Sequence, residues 1–300
     1  MMKKIFILGA LVSAFFITGC FNIGPCLQGY GPVTNEVRGL ADFTAVSNTF
    51  EYEVRVTQSD TFGVELEAQE NLLNLIETYV SGSTLIVKTK NGHCINSAVP
   101  VVVYVSMPYI EEIRNTGSGR LSADRAEVAD FEISNSGSGV ISIDSVFASS
   151  VSLKNTGSGK LYVNASYPDE IEVSQTGSGL IDAGIIDRSL ELSINHTGSG
   201  KIFASIIDGL EVSTRMTGSG LIMLDGHAET ADLSLSSSGK IDAIEMEVAD
   251  AIAKSTGSGK IFVYASKTLD VTITGSGDVY YRGNPLLSTR ITGSGSVRPY

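Results

Sequence analysis

Asn115-Thr-Gly-Ser-Gly119 returns as Asn135-Ser-Gly-Ser-Gly139 and again as Asn155-Thr-Gly-Ser-Gly159, each copy 20 residues after the one before. The Gly-Ser-Gly triplet continues at Gly177, Gly198, Gly218, Gly257, Gly275 and Gly293, with a degenerate Ser237-Ser238-Gly239. The ten copies are spaced by 20, 20, 20, 21, 20, 19, 20, 18 and 18 residues. A flexible Gly/Ser linker would show no order between the triplets, but here the order is strict. Four residues before each triplet stand Ile113, Ile133, Leu153, Val173, Ile194, Thr214, Leu233, Ala253, Val271 and Thr289. Four residues after its first glycine stand Leu121, Ile141, Leu161, Ile181, Ile202, Ile222, Ile241, Ile261, Val279 and Val297. Polar residues such as Glu132, Ser134, Lys154, Glu172 and Arg215 fall between. Two period-2 strands therefore flank every triplet.

A unit of about 20 residues cannot bury its own apolar face, so the copies must stack on one another. In register at about 4.8 Å per coil, ten coils make a column roughly 48 Å long. The expected fold is all-β: a right-handed parallel β-helix of about ten 20-residue Gly-Ser-Gly coils, preceded by a more irregular β-rich part with a short helix. The glycines suit the corner between strands, where positive φ and close backbone approach are expected. A hydroxyl residue precedes every triplet, from Thr116 to Thr292. One position earlier, Asn115, Asn135, Asn155 and Gln175 form an amide column able to hydrogen-bond along the stack, which gives way to His196, Met216 and Leu235.

Working outward, Lys3 and Lys4, the apolar run Ile5 to Ile17, and Thr18-Gly19-Cys20 have the order of a secretory signal too short to remain as a membrane span. Ile17-Thr18-Gly19-Cys20 resembles the lipobox of bacterial lipoproteins, which implies lipid attachment at Cys20 and membrane anchoring without spanning. The expected organisation is signal peptide 1–19, tether 20–38, N-terminal β-rich coils and cap 39–110, and regular repeats 111–300. Gly24, Pro25, Gly29, Gly31 and Pro32 mark the tether. Alternation in Tyr52-Val54-Val56, Val64-Leu66-Ala68, Leu85-Val87 and Val101-Val103-Val105 predicts strands, and Asn71 to Glu77 has the spacing of a short helix that would cap the stack.

These features together resemble the bacterial auto-transporter adhesin family with a head GIN domain (DUF2807). The resemblance runs from about Leu40 to Tyr300 and rests on Phe43-Thr-Ala-Val46, Glu70-Asn-Leu-Leu73, Ser83-Thr-Leu-Ile-Val87, Val101-Val-Val-Tyr-Val105 and the serial Gly-Ser-Gly corners. It implies a β-helical exported protein, often a lipoprotein, with a role in adhesion. The repeats run to Tyr300, so no membrane barrel is expected to follow them.

The formal charge is −12, and −14 once Lys3 and Lys4 are removed, with no basic cluster, so nucleic acid is not an expected partner. Cys26 and Cys94 would meet an oxidising compartment that permits a disulfide. His93, His196 and His227 are far apart and read as structural, and no metal or cofactor is expected. Asp124, Asp144, Asn164 and Asp225 each fall seven residues after a triplet start and could form an acidic row. Their residue types equally suit turns, and coils without insertions offer no loops to wall a pocket. A polysaccharide-active enzyme is therefore the least favoured class, and no catalytic residue is assigned.

The outward position five residues after each triplet start reads Ser122, Ser142, Tyr162, Asp182, Phe203, Met223, Asp242, Phe262, Tyr280 and Arg298. Large apolar side chains on an outer strand face call for a partner. Lysines precede three of the aromatics by two residues, so the expected interaction face is Lys160, Tyr162, Lys201, Phe203, Met223, Lys260, Phe262 and Tyr280. Its occupant would be a glycan or protein ligand; burial in a homo-oligomer or under the N-terminal segment accounts for the same residues. Two residues earlier, Arg120, Val140, Lys160, Leu180, Lys201, Leu221 and Lys240 alternate charge with aliphatic, which keeps like charges apart, and Asp242 is placed to offset the adjacent Lys240 and Lys260. The expected protein is an outer-membrane-anchored binding or adhesion protein facing the surface or the periplasm, with a self-assembling structural component as the alternative.

Overall fold

In the computed structural model, which describes residues 26–300, the chain is almost entirely strand. The expected signal peptide and Cys20 lie outside these residues. Strand Glu112–Asn115 pairs in parallel with Ala45–Asn48 on one side and Asp130–Asn135 on the other, and the ladder continues through Ser150–Asn155, Glu170–Gln175 and Glu191–His196. After each corner a second ladder runs through Arg120–Glu127, Val140–Phe147 and Lys160–Tyr167. This is the expected parallel β-helix.

In Arg120–Glu127, Leu121, Ala123 and Ala126 are buried whereas Asp124 and Arg125 are both exposed. Two successive outward residues break the strict alternation, so the strand bends there and the coil gains a third side. The core is the set of stacked inward columns, such as Leu121, Ile141, Leu161, Ile181, Ile202 and Ile222, all fully buried.

The Gly-Ser-Gly corners work chiefly by close approach. A Cβ at Gly139 would overlap the Gly119 carbonyl and lie 2.5 Å from Asn115 Nδ2, and the same crowding recurs at Gly159 over Asn135. Positive φ, expected at every corner, is confined among the described triplets to Gly257, Gly275 and Gly293. In these last copies the strand runs on into the triplet's first glycine before turning, so the bend is concentrated there.

The amide column is fully buried at Asn48, Asn115 and Asn155 and almost so at Asn135. Asn48 Nδ2 donates to Asn115 Oδ1 at 3.0 Å, and Asn115 Nδ2 to Asn135 Oδ1 at 3.3 Å. Asn135 and Asn155 turn their amides to the Gly139 and Gly159 carbonyls, at 3.1 and 3.0 Å. Gln175 is the exception: its longer side chain is buried, with neither amide atom hydrogen-bonded among the described residues. Above it His196 continues the column, its ring nitrogens 3.3 Å from the Gln175 carbonyl and 2.9 Å from that of Gly200.

Two expectations for the N-terminal part are corrected. Part of the stretch expected as tether is strand: Leu27–Gln28 pairs with Ile95–Asn96, and Val33–Arg38 lies antiparallel to Gly63–Gln69. The β-branched run Val33-Thr34 and Val37 can form an edge strand once Gly31 has turned the chain. The expected helix at Asn71 to Glu77 is a single 3-10 turn, Leu73–Leu75, because Ile76 already begins strand Ile76–Ser81. Seven residues cannot offset the cost of helix nucleation when a strand partner, Thr84–Thr89, is adjacent. The end of the stack is instead closed by the antiparallel pairs Val33–Arg38 with Gly63–Gln69 and Ile76–Ser81 with Thr84–Thr89.

Cys26 and Cys94 are disulfide-bonded across 68 residues and hold the Leu27–Gln28 strand on this cap. Reduction, or Cys94→Ser, is expected to cost about 3 kcal/mol and to show as a lower urea midpoint of unfolding. Gln175→Met, which places in this coil the residue the column itself uses at Met216, is expected to raise the unfolding free energy by about 1–2 kcal/mol, and the urea midpoint with it, because it removes a buried amide that has no partner among the described residues.

Candidate functional site

The outward columns expected from the sequence are in register. Ser142 pairs with Tyr162, Tyr162 with Asp182, Asp182 with Phe203, Phe203 with Met223, Met223 with Asp242, Asp242 with Phe262 and Phe262 with Tyr280. Beside it runs the second column, from Lys160 through Leu180, Lys201, Leu221 and Lys240 to Lys260. The expected residues thus share one side of the solenoid. Lys160, Lys201, Met223 and Lys260 are exposed, and Tyr162, Phe203, Phe262 and Tyr280 are half-buried.

Their surroundings divide this side in two. Phe262 stacks on Tyr280 with ring centroids 4.9 Å apart, meets Tyr300 edge-on at 5.7 Å, and carries the Lys240 ammonium 4.4 Å from its ring centre. Lys240 is also paired with Asp242 at 2.6 Å, the compensation its neighbour Lys260 requires. Phe262 and Tyr280 are therefore largely occupied within the chain. Among the described residues Phe203 has no aromatic partner; it sits between Asp182 and Met223, with Leu180 and Leu221 in the adjacent column. Leu180, Phe203, Leu221 and Met223, the last 40% exposed, form the apolar centre of this side.

The same side extends into the N-terminal part, which the sequence reading did not include. Ser122 pairs with Arg55, Arg55 with Tyr104, and Tyr104 with Glu65. The Arg55 guanidinium lies 5.7 Å from the Tyr104 ring centre, and Tyr104 Oη donates to Glu67 at 3.3 Å. Desolvation and the Glu67 charge push the Tyr104 phenol above its usual range, and hydrogen bonds to Glu53 raise Arg55 further. The alternation of Val101-Val-Val-Tyr-Val105 makes Tyr104 an outward residue; its column is assigned only by the pairing of its strand with that of Arg55, which lies outside the 20-residue period.

The acidic row is not continuous. Asp124, Asp144 and Asn164 occupy one exposed corner, but Asp225 pairs with Ser205 and Glu245, in the column of Arg125 and Ser145. Between Asp182 and Ile185, where Gly184 takes φ 58°, the register shifts because the next coil has one residue fewer, so Ser205 and Asp225 fall one column later. Ser205 Oγ donates to Asp225 at 3.0 Å. His196 is buried in the corner column, whereas His93 and His227 are exposed in other parts of the stack. Among the described residues, no three His, Cys, Asp or Glu side chains are grouped to hold a metal ion.

Phe262→Ser is expected to lower stability by at least about 1 kcal/mol more than Phe203→Ser, since only the former removes a stack and a cation–π contact. Denaturant unfolding of the two variants measures the difference.

Solved structures are similar to this chain, the first of them sharing its fold. A "putative adhesin" from Parabacteroides merdae is 21% identical, with 91% of this chain and 98% of that one covered and a TM-score of 0.56. From Parabacteroides distasonis, a "putative lipid binding protein" is 24% identical, with 91% and 99% covered and a TM-score of 0.48. A "putative adhesin" of the same organism is 21% identical, again with 91% and 99% covered and a TM-score of 0.48. No curated protein matches this chain. The family described as "Putative auto-transporter adhesin, head GIN domain" matches residues 42–202 and 184–285, and the chain therefore belongs to that family.

Proposed function

We propose that this protein is a non-catalytic, lipid-anchored binding or adhesion protein of the cell envelope, and that it engages its partner through the side bearing Lys160, Tyr162, Lys201, Phe203 and Met223. The observation that carries this reading is the apolar centre Leu180, Phe203, Leu221 and Met223, left open on an outer β-helix side and flanked by Lys160 and Lys201. A protein surface seldom leaves such a patch open without a partner. Lysines flanking half-buried apolar groups give the charged rim and apolar centre of a binding surface. Attachment at Cys20 would hold the N-terminal cap toward the membrane and extend the stack away from it. Catalysis has less support, because the carboxylates stand on exposed corners and not around a common cleft.

Protease shaving of intact cells expressing an epitope-tagged full-length protein, with a periplasmic leakage control, tests the location. Loss of the tag from intact cells supports an adhesin, whereas protection until the outer membrane is permeabilised overturns that part of the reading. On the purified protein, Phe203→Ser combined with Met223→Ser is expected to abolish attachment to immobilised matrix-protein surfaces without lowering the unfolding free energy by more than about 1 kcal/mol. If attachment survives and sedimentation shows instead the loss of an oligomer, the patch is a self-assembly surface.

A further inference from the structure

A second exposed surface lies on another side of the coil, beyond the column of Arg125 and Ser145. Phe147 and Tyr167 are successive members of one outward column and stack face to face, with centroids 4.7 Å apart and planes 6° from parallel. The Arg125 guanidinium lies 4.4 Å from the Phe147 ring centre. A row of three planar groups therefore runs along the stack and ends at Tyr167, which is 44% exposed. The next coil adds no ring. Tyr167, Pro168, Asp169, Asp187 and Arg188 line a surface hollow at this end of the row.

An insertion shapes this hollow. Ser166 pairs with Ile186 but Glu170 with Glu191, so the coil holds one extra residue between Ile186 and Glu191, which is where the 21-residue interval arises. Arg188 takes up the extra length at φ 62°, and its amide donates to the Ile207 carbonyl at 2.8 Å. The following coil keeps the longer corner, with Asp208 at φ 53°. Among the described residues, only Asp42, Arg188 and Asp208 are non-glycine residues with positive φ. Such a conformation disfavours a long side chain, yet an arginine occupies it. Its side chain is 84% exposed, and at 3.8 Å from Asp187 it forms a loose ion pair that leaves its donors free.

We propose that this hollow binds a neutral pyranose unit of a glycan, stacked on Tyr167. A sugar ring presents one C–H face and a rim of hydroxyls that both donate and accept. Tyr167 supplies the flat apolar platform, Arg188 the donors, and Asp169 and Asp187 the acceptors. Asp169, Asp187, Glu170 and Glu191 outnumber the single arginine on this corner, so a sialic or uronic acid is repelled and a neutral sugar is not. A tyrosine already stacked on Phe147 loses little freedom on binding, which suits a weak, repeated contact with a polymer. This site is separate from the Phe203 side, so failure of either assignment leaves the other standing.

Saturation-transfer NMR and titration of tyrosine fluorescence on the purified full-length protein test it, the chain having no tryptophan. The probes are tetrasaccharides of neutral hexoses, N-acetylhexosamines and 6-deoxyhexoses, with tetragalacturonate as the acidic comparison. At least one neutral probe is expected to bind. Tyr167→Ala should weaken it by about tenfold or more, while Tyr167→Phe leaves it within about twofold. Arg188→Gly should weaken binding several-fold while leaving the melting temperature equal or higher, because it relieves the positive φ. No binding by any neutral probe at about 10 mM, equal binding by the Tyr167→Ala protein, or a preference for tetragalacturonate would each overturn the proposal.

Discussion

Each coil hydrogen-bonds to the next through its backbone, at a spacing that places every residue on its own counterpart. That constraint is tightest at the Gly-Ser-Gly corner, where the carbonyl of one coil lies so close to the glycine of the next that no Cβ fits. The rest of the structure depends on what a residue can do when stacked on itself. Aliphatics pack, aromatics stack, and asparagine amides donate to one another. Like charges repel, which accounts for the alternation of lysine with leucine or valine on the outer side and for the Lys240–Asp242 pair where that alternation fails. The buried corner column follows the same logic. Asparagine reaches a neighbouring amide or a corner carbonyl, glutamine overshoots both, and the column then passes through His196 to Met216 and Leu235, which need no partner.

Because the backbone is so regular, small departures decide where the surface differs from a uniform ladder. The loss of one residue between Phe203 and Ser205, opposite Gly184, moves Asp225 into another column, and the insertion near Arg188 opens a hollow beside Tyr167. Neither is a loop. Both are changes of a single residue, small enough for the inward columns to remain buried on either side. A β-helix can thus present distinct chemistry on an outer side without disturbing its core.

The N-terminal end needs a different solution, since a parallel stack exposes an unpaired edge. Antiparallel strands close it, and the Cys26–Cys94 disulfide fastens the outermost segment. If the chain is held to a membrane at Cys20, this closed and cross-linked end is the one nearest the lipid, with the Phe203 side and the Tyr167 hollow presented further along the stack.

The sequence by itself determined the parallel β-helix, its inward columns and the alignment of Tyr162, Phe203, Met223, Phe262 and Tyr280 on one side. A 20-residue repeat with strict alternation admits one way of burying its apolar face, and equal spacing brings equal positions together. Tertiary structure decided what breaks the repeat. Whether an outward aromatic is free depends on its neighbours: Phe262 is enclosed by Tyr280, Tyr300 and Lys240, whereas Phe203 is not. Whether Asp225 joins the acidic corner depends on a one-residue shortening of the preceding coil that the constant triplet spacing hides, and Arg55, Tyr104 and Glu65 join the outer side through pairings outside the 20-residue period. Periodicity reports contacts between equivalent residues; contacts between inequivalent ones exist only once the chain is folded.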